Sequence, residues 1–238
     1  MIRTRFLLAV IFTLGFAAMS GAQILNEAMK LVEPAKQGLT EKDAVSGIKE
    51  ALVKGTEASV NLVSKVDGYF GNPEIKIPFP ENARIIESKL RGMGLGKQAD
   101  EVILSINRAA EDAAREAEPI FVFAIQNMSI TDAIQIVKGK NDAATQYLVR
   151  TTTESLEAKF SPVVKASLDK VNATRIWEDV VKTYNQIPFV TRQNPNLPEY
   201  VTDKAISGLF TMIAREELKI RQNPAARTTE ILRKVFAK

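Results

Sequence analysis

Apolar side chains recur every three or four residues along most of the chain, and this spacing predicts α-helices. In the stretch after Gly96, for example, Val102, Ile106, Ala109 and Ala113 fall on one helical face. The same spacing predicts further helices over residues 40–66, 80–91, 142–171, 175–184 and 200–221. The sequence shows no run of alternating strands and no internal repeat. We therefore expect an all-α, multi-helix bundle.

One stretch, residues 68–80, breaks the helical pattern. It reads "GYFGNPEIKIPFP" and holds three prolines within eight residues, which excludes a helix there. We expect a short, proline-rich extended arm. Its apolar side chains either pack across the bundle as a clasp or offer a hydrophobic patch to a partner. Tyr69 and Phe70 are therefore candidate partner-binding residues.

The first 22 residues have the order of a secretory signal peptide. A basic start and an uncharged apolar run over residues 6–19 precede the small residues Ser20, Gly21 and Ala22. This run is shorter than the roughly 20 residues that span a bilayer, which favours cleavage after Ala22 over an uncleaved membrane anchor. We expect an exported protein, periplasmic or secreted.

Charge and composition exclude several classes of function. The chain has 32 basic and 28 acidic residues, and loss of Arg3 and Arg5 with the signal lowers the net charge from +4 to +2. Basic and acidic residues alternate, whereas a nucleic-acid-binding protein shows a concentrated basic stripe. The absence of cysteine and histidine excludes disulfides, thiolate or imidazole metal sites and Cys–His or Ser–His nucleophile pairs. We expect no cofactor, no metal and no nucleic acid.

The glycine-rich stretch at residues 89–100, "KLRGMGLGKQAD", invites comparison with a phosphate-binding loop. Such a loop follows a β-strand and opens a helix. Here an amphipathic helical stretch comes before Gly92, and Gly94 and Gly96 match neither nucleotide-binding spacing. We interpret the stretch as a corner between two helices, with glycine in the left-handed conformation that ends a helix.

Asn107, Arg108 and Glu111 lie within one helical turn and are candidate ligand or partner residues. They form either a solvated face with a local ion pair or a buried polar network. In the second case the network would pack against the stretch Thr145-Gln146-Tyr147, whose Gln146 and Tyr147 become candidates too, or form the floor of a polar pocket.

Glu217 and Arg221 form a second candidate cluster. Their spacing of four residues is typical of an ion pair on a helix surface. Alternatively, Glu217 and Glu111 serve as the acid and base of a hydrolase, which requires both carboxyls to face one cleft at about 5–9.5 Å. We expect Asn141 or Asp142 to cap the long helix that follows.

The C-terminal segment "TEILRKVFAK", residues 229–238, has one apolar face flanked by basic residues. Such a segment either packs on the bundle or rests on an anionic membrane surface.

Several stretches resemble a known family along the chain from about residue 40 to the C-terminus. They include "SGIKEAL" at 46–52, "DGYFGNPEIKIPFP" at 67–80, "PIFVFAIQNMSITDA" at 119–133 and "YVTDKAISGLF" at 200–210. The family is the bacterial domain-of-unknown-function family 4197. The resemblance implies an exported protein of a Gram-negative bacterium, with signal peptide 1–22, variable leader 23–39 and a single helical domain 40–238. It carries no established activity.

The sequence favours a non-enzymatic helical module that binds a protein partner or an apolar small molecule in the cell envelope. Two alternatives stay open. One is a carboxylate-based hydrolase acting on envelope polymers, and the other is a structural protein that oligomerises through the arm.

Overall fold

The structure is a computed structural model that describes residues 41–80, 83–92, 94, 96–186, 188–189, 192, 194, 196–226 and 233. All of them belong to one compact unit, Leu39–Lys238. The signal peptide and leader predicted over residues 1–39 lie outside the described residues, as does the C-terminal segment except for Arg233. They stay predictions.

The described residues are mainly α-helical and include no β-strand, which confirms the all-α prediction. The helices are α1 (Glu41–Val63), α2 (Arg84–Gly92), α3 (Gly96–Ala114), α4 (Ala117–Gln126), α5 (Ile130–Lys138), α6 (Ala143–Lys170), α7 (Ala173–Asn185) and α8 (Leu197–Gln222), followed by a short 3₁₀ helix (Pro224–Ala226).

Helix α6 lies at the centre of the bundle and contacts α3, α4, α5, α7 and α8. Its buried side chains follow one another at intervals of four residues: Leu148, Thr152, Leu156, Phe160, Val164 and Leu168. Four residues turn a helix by about 400°, so the buried stripe advances by about 40° at each step. The stripe winds around α6, which explains how one helix packs against several neighbours along its length. Helix α1 lies against α4, α5 and α8.

The glycine-rich stretch forms the corner between α2 and α3. Helix α2 ends at Gly92, α3 begins at Gly96, and Gly94 between them has a φ of +78°. Gly94 N–H donates to the Arg91 carbonyl at 3.1 Å, in the manner of a helix C-cap. The stretch is thus a turn between two helices, as the sequence indicates.

Replacing Gly94 with alanine should lower the free energy of unfolding by about 1 kcal/mol, because a β-carbon disfavours the left-handed conformation. Space is not the cause, since no other group lies within 4 Å of a β-carbon built there. Gly92 is a matched control, because it is equally open but has helical backbone, and Gly92→Ala should be neutral or slightly stabilising. Equal losses for both variants in urea unfolding would contradict this account.

The arm, residues 68–80, crosses the bundle as a series of turns followed by an extended segment. Four of its apolar side chains are at least 95% buried: Tyr69, Ile75, Ile77 and Phe79. Phe79 packs against Trp177 of α7 with ring centroids 6.0 Å apart, and Tyr200 of α8 donates a hydrogen bond to the Pro78 carbonyl. The arm therefore packs as a clasp, and Tyr69 is not available to a partner. Phe70 is half-buried and lies under the Lys76 ammonium.

Among the described residues, no single helix is both long enough and apolar enough to cross a membrane. Two consecutive helical segments, Gly96–Gln126 and Ile130–Lys138, reach the required length and apolar composition only when taken together, and the chain bends by 104° between them.

Candidate functional site

Asn107 of α3 holds the extended part of the arm through its side-chain amide. Its Oδ1 accepts from Ile77 N–H at 2.9 Å, and its Nδ2 donates to the Ile77 carbonyl at 2.8 Å. The Asn107 side chain thus pairs with one arm residue as a neighbouring β-strand would. The proline-rich backbone of the arm forms no helix, so its buried N–H and carbonyl groups need hydrogen-bond partners from elsewhere. The fully buried amide of Asn107 supplies these partners for Ile77.

Arg108, the next residue of α3, and Glu111, four residues after Asn107, hold the backbone at the start of the arm. Glu111 Oε1 accepts from the backbone N–H groups of Tyr69 and Phe70 at 3.1 and 3.2 Å. Glu111 Oε2 accepts from Arg108 at 2.6 Å, and Arg108 also donates to Asp67 at 2.7 Å. We call Asn107, Arg108 and Glu111 the arm anchor.

The structure decides between the two alternatives that the sequence left open for the arm anchor, a solvated face and a buried polar network. The cluster is a buried polar network, not a solvated face, since Asn107 and Glu111 are 0% and 2% exposed. Its partners, however, are residues of the arm and not Gln146 and Tyr147. Gln146 is exposed, and the buried Tyr147 donates to the Ala124 carbonyl of α4 at 3.1 Å. The spacing of polar residues on α3 could not reveal which other segment they face.

Tyr69 joins the arm to α8. Its hydroxyl donates to the Ala205 carbonyl at 2.6 Å, and its ring lies so close to Gly208 that a β-carbon there would sit 2.7 Å from Cε1. Only glycine permits this contact, because the ring is fully buried and cannot shift away. The arm is therefore fixed to both α3 and α8.

Burial raises the pKa of the Tyr69 phenol far above its usual value of 10.0, and the nearby Glu111 carboxylate acts in the same direction. Above pH 10 the unfolded chain loses this proton while the folded chain keeps it, so the free energy of unfolding should fall as pH rises. We expect Tyr69 to ionise only when the protein unfolds. An ultraviolet titration of the folded proteins at pH 11 tests this expectation. Tyr69→Phe should give the same tyrosinate signal as the unchanged protein. A signal from Tyr69→Phe that is smaller by one tyrosine would contradict the expectation.

Glu217 of α8 caps the N-terminus of α6. Its Oε1 accepts from Ala144 N–H at 3.0 Å, and its Oε2 accepts from Thr145 N–H at 2.9 Å and from the Thr145 hydroxyl at 2.8 Å. These are the second and third residues of α6, whose N–H groups a capping side chain ordinarily satisfies. Asp142 occupies the N-cap position, which was one of the two predicted, but its side chain forms no cap hydrogen bond, so the carboxylate of Glu217 does this instead.

Arg221 completes this arrangement at the end of another helix. Its guanidinium donates to Glu217 Oε1 at 2.8 and 2.9 Å and to the carbonyl of Ile136, in the last turn of α5, at 2.8 Å. The carboxylate thus faces the positive end of α6 and the guanidinium faces the negative end of α5. We call Glu217 and Arg221 the helix-end pair. The surface ion pair predicted for them is wrong, since the two side chains are only 7% and 9% exposed.

The two buried carboxylates do not share a cleft. Glu111 faces the arm, whereas Glu217 lies nine residues beyond Gly208, which is the part of α8 in contact with Tyr69. Nine residues correspond to about 13 Å along a helix. Each carboxylate is occupied by its own backbone donors and arginine. The acid–base pair predicted for a hydrolase is therefore not formed by these two residues. Among the described residues, no group of three or more acidic side chains is placed to hold a metal ion.

The cavity beside the helix-end pair, between α1, α5 and α8, offers little room for a small molecule, since its volume is about 30 Å³. Sites for drug-sized ligands are roughly 300–1,000 Å³. The cavity fits one or two water molecules, so this part of the bundle is packed and does not enclose an apolar ligand.

A surface groove of about 760 Å³ runs between α4 and α6. Ile120, Phe123 and Ala124 line it from α4, and small or hydroxyl side chains such as Thr151 and Ser155 line it from α6. It extends from Glu116 and Lys159 at one end to Asn127 and Tyr147 at the other. We call it the α4–α6 groove.

Helix α4 lies at the surface although residues 120–125 form an uninterrupted apolar run. Phe121 points into the core, but Phe123 is 70% exposed beside the groove. The outward face of α4 thus combines this uncovered aromatic ring with the exposed polar side chains of Glu118 and Gln126. The exposure of Phe123 was not predicted from the sequence. Helical periodicity identifies one apolar face, and it cannot tell which residues of an uninterrupted apolar run lie at the surface.

The fold and these sites define a single class: an all-α protein whose buried polar clusters join segments of its own chain, with an apolar groove left at the surface. The chain belongs to the family described as "Protein of unknown function (DUF4197)", which matches residues 38–237. No curated protein and no solved structure matches the chain. The family suspected from the sequence is thereby confirmed.

Proposed function

We propose that this chain is a non-enzymatic, partner-binding module of the cell envelope, which receives an apolar helical segment of another protein in the α4–α6 groove. The observation that carries the proposal is the exposed Phe123 beside this groove, within the uninterrupted apolar run of α4. Burying a side chain of this size yields about 1.5–3 kcal/mol. Large aromatic side chains are also common among the residues that dominate binding energy at interfaces.

The shape of the groove favours a helix as its occupant. Helix α4 has ten residues and is therefore about 15 Å long, which matches roughly three turns of a partner helix. Thr151, Ser155 and Ala158 line the α6 side at helical spacing, and their small size lets another helix approach closely. Such a partner would present apolar residues at intervals of three and four, as helices bound in grooves do.

Three other functions have less support from the geometry. The small volume of the cavity beside the helix-end pair argues against that cavity as the site of a carried apolar molecule, and the separated carboxylates argue against the hydrolase with Glu111 and Glu217 as its acid and base. Oligomerisation through the arm also lacks support, because the apolar side chains of the arm are already buried within the chain. Export is supported by the signal pattern at residues 1–22.

Site-specific photo-crosslinking tests the proposal. A photoreactive phenylalanine analogue replaces Phe123 in the full chain, expressed in its own bacterium. The same analogue at Ile176 of α7, which is 51% exposed, is the control. We expect a discrete protein adduct from position 123, absent from position 176 and lost when Ser155→Trp fills the groove.

Three outcomes would overturn the proposal. The first is equal crosslinking from both positions, and the second is no protein adduct from position 123. The third is an adduct with lipid alone, which would identify the groove as a membrane-contact surface.

A further inference from the structure

A second groove, of about 920 Å³, lies between α6, α7 and the connection that leads to α8. It differs in chemistry from the α4–α6 groove. Three cationic side chains line it, Lys165, Lys182 and Arg192, against one carboxylate, Glu178. Its volume falls within the range of small-molecule sites. We call it the α6–α7 groove.

The three cations differ in their partners. Lys165 is paired with Asp169. Among the residues that the structure describes, Lys182 and Arg192 form neither a hydrogen bond nor an ion pair. The two unpaired charges come from different segments, the last turn of α7 and the connection after it, and both face one concavity. Charges of like sign repel, so their convergence favours an anion between them.

Neutral hydrogen-bonding groups accompany these charges. The amide side chains of Asn185, Gln186 and Asn196 line the groove, as does Ser161 with its hydroxyl. Amide and hydroxyl groups recognise the hydroxyls of a sugar, whereas the cations recognise a carboxylate or phosphate.

We infer that the α6–α7 groove binds a sugar that carries a carboxylate or a phosphate. Lys182 and Arg192 would hold the anionic group, with Arg192 able to offer two parallel N–H donors. Gln186 and Ser161 would contact the sugar hydroxyls. This site shares no residue with the α4–α6 groove, so it goes beyond the proposed partner binding and does not depend on it.

Isothermal titration calorimetry with residues 23–238 tests the inference, with galacturonic acid, its linear trimer, glucose 6-phosphate, glucose and inorganic phosphate as probes. We expect binding of the charged sugars, at least tenfold weaker binding of glucose and of phosphate, and weaker binding at higher salt. Tighter binding of the trimer than of the monomer would indicate a polysaccharide as the source of the ligand, and the reverse would indicate a free sugar.

The variant K182A/R192A should raise the dissociation constant for charged sugars at least tenfold, because each charge-assisted hydrogen bond contributes strongly to affinity. Both side chains are exposed, so the melting temperature should be unchanged. The variant K97A/K138A removes the same charge from exposed positions elsewhere and should bind as the unchanged protein does. No binding of any charged sugar at millimolar concentration would overturn the inference. Equal binding of glucose or phosphate, or an equal loss in K97A/K138A, would overturn it as well.

Discussion

Replacing Glu217 with alanine should lower the free energy of unfolding by about 3–5 kcal/mol, the usual cost of removing one partner from a buried ion pair. The variant leaves Arg221 without its carboxylate and the N–H groups of Ala144 and Thr145 without an acceptor. Urea unfolding of residues 23–238 measures the effect.

The neighbouring Glu216 provides the control for Glu217. Its side chain is 28% exposed and pairs only with Lys219 on the same helix, so Glu216→Ala should cost less than about 0.5 kcal/mol. Equal effects of the two substitutions would show that the helix-end pair does not hold α5, α6 and α8 together. A loss confined to Glu217 would support its role as the cap of α6.

Replacing Glu111 with alanine should cost about 2–4 kcal/mol, because two backbone N–H groups at the start of the arm then lack an acceptor. The cost is smaller than at Glu217, since Arg108 is 35% exposed and can be hydrated when it loses its partner. Hydrogen exchange should locate the damage. The amides of Tyr69 and Phe70 should exchange much faster, while those in the middle of α6 should change only with global stability.

Asp112, the next residue on α3, is the matched control for Glu111. Its carboxylate is 44% exposed and accepts one hydrogen bond from Ser167. Asp112→Ala should therefore cost about 1 kcal/mol or less and leave the exchange of the arm unchanged. Faster exchange of Tyr69 and Phe70 in this variant would contradict the assignment of Glu111 as the residue that holds the arm.

The helices could be predicted from the sequence because their signals are local. Apolar periodicity located the long helix predicted over residues 142–171, which the structure places at Ala143–Lys170. The N-cap of α5 is equally local, since the Ser129 hydroxyl accepts from Asp132 N–H, three residues on, at 3.1 Å. In each case, the residues that decide the structure lie within one or two turns of each other.

The candidate sites could be predicted only in part because they depend on contacts between distant segments. The spacing of Glu217 and Arg221 correctly predicts that they pair, but it is equally compatible with a surface and with a buried contact. Their burial comes from α5 and α6, whose residues are some 70–85 positions away in the chain. Lys182 and Arg192 were missed for the same reason, since the groove they line exists only after α6 and α7 have packed.

We propose that the α4–α6 groove binds a partner and that Phe123 does not serve stability. The most direct test places the photoreactive analogue at Ile120, which also lines the groove, and compares Phe123 with Phe123→Glu. We predict that Phe123→Glu abolishes the protein adduct and leaves the melting temperature unchanged, because the side chain is largely exposed. An adduct of undiminished intensity from a folded Phe123→Glu protein would contradict the claim.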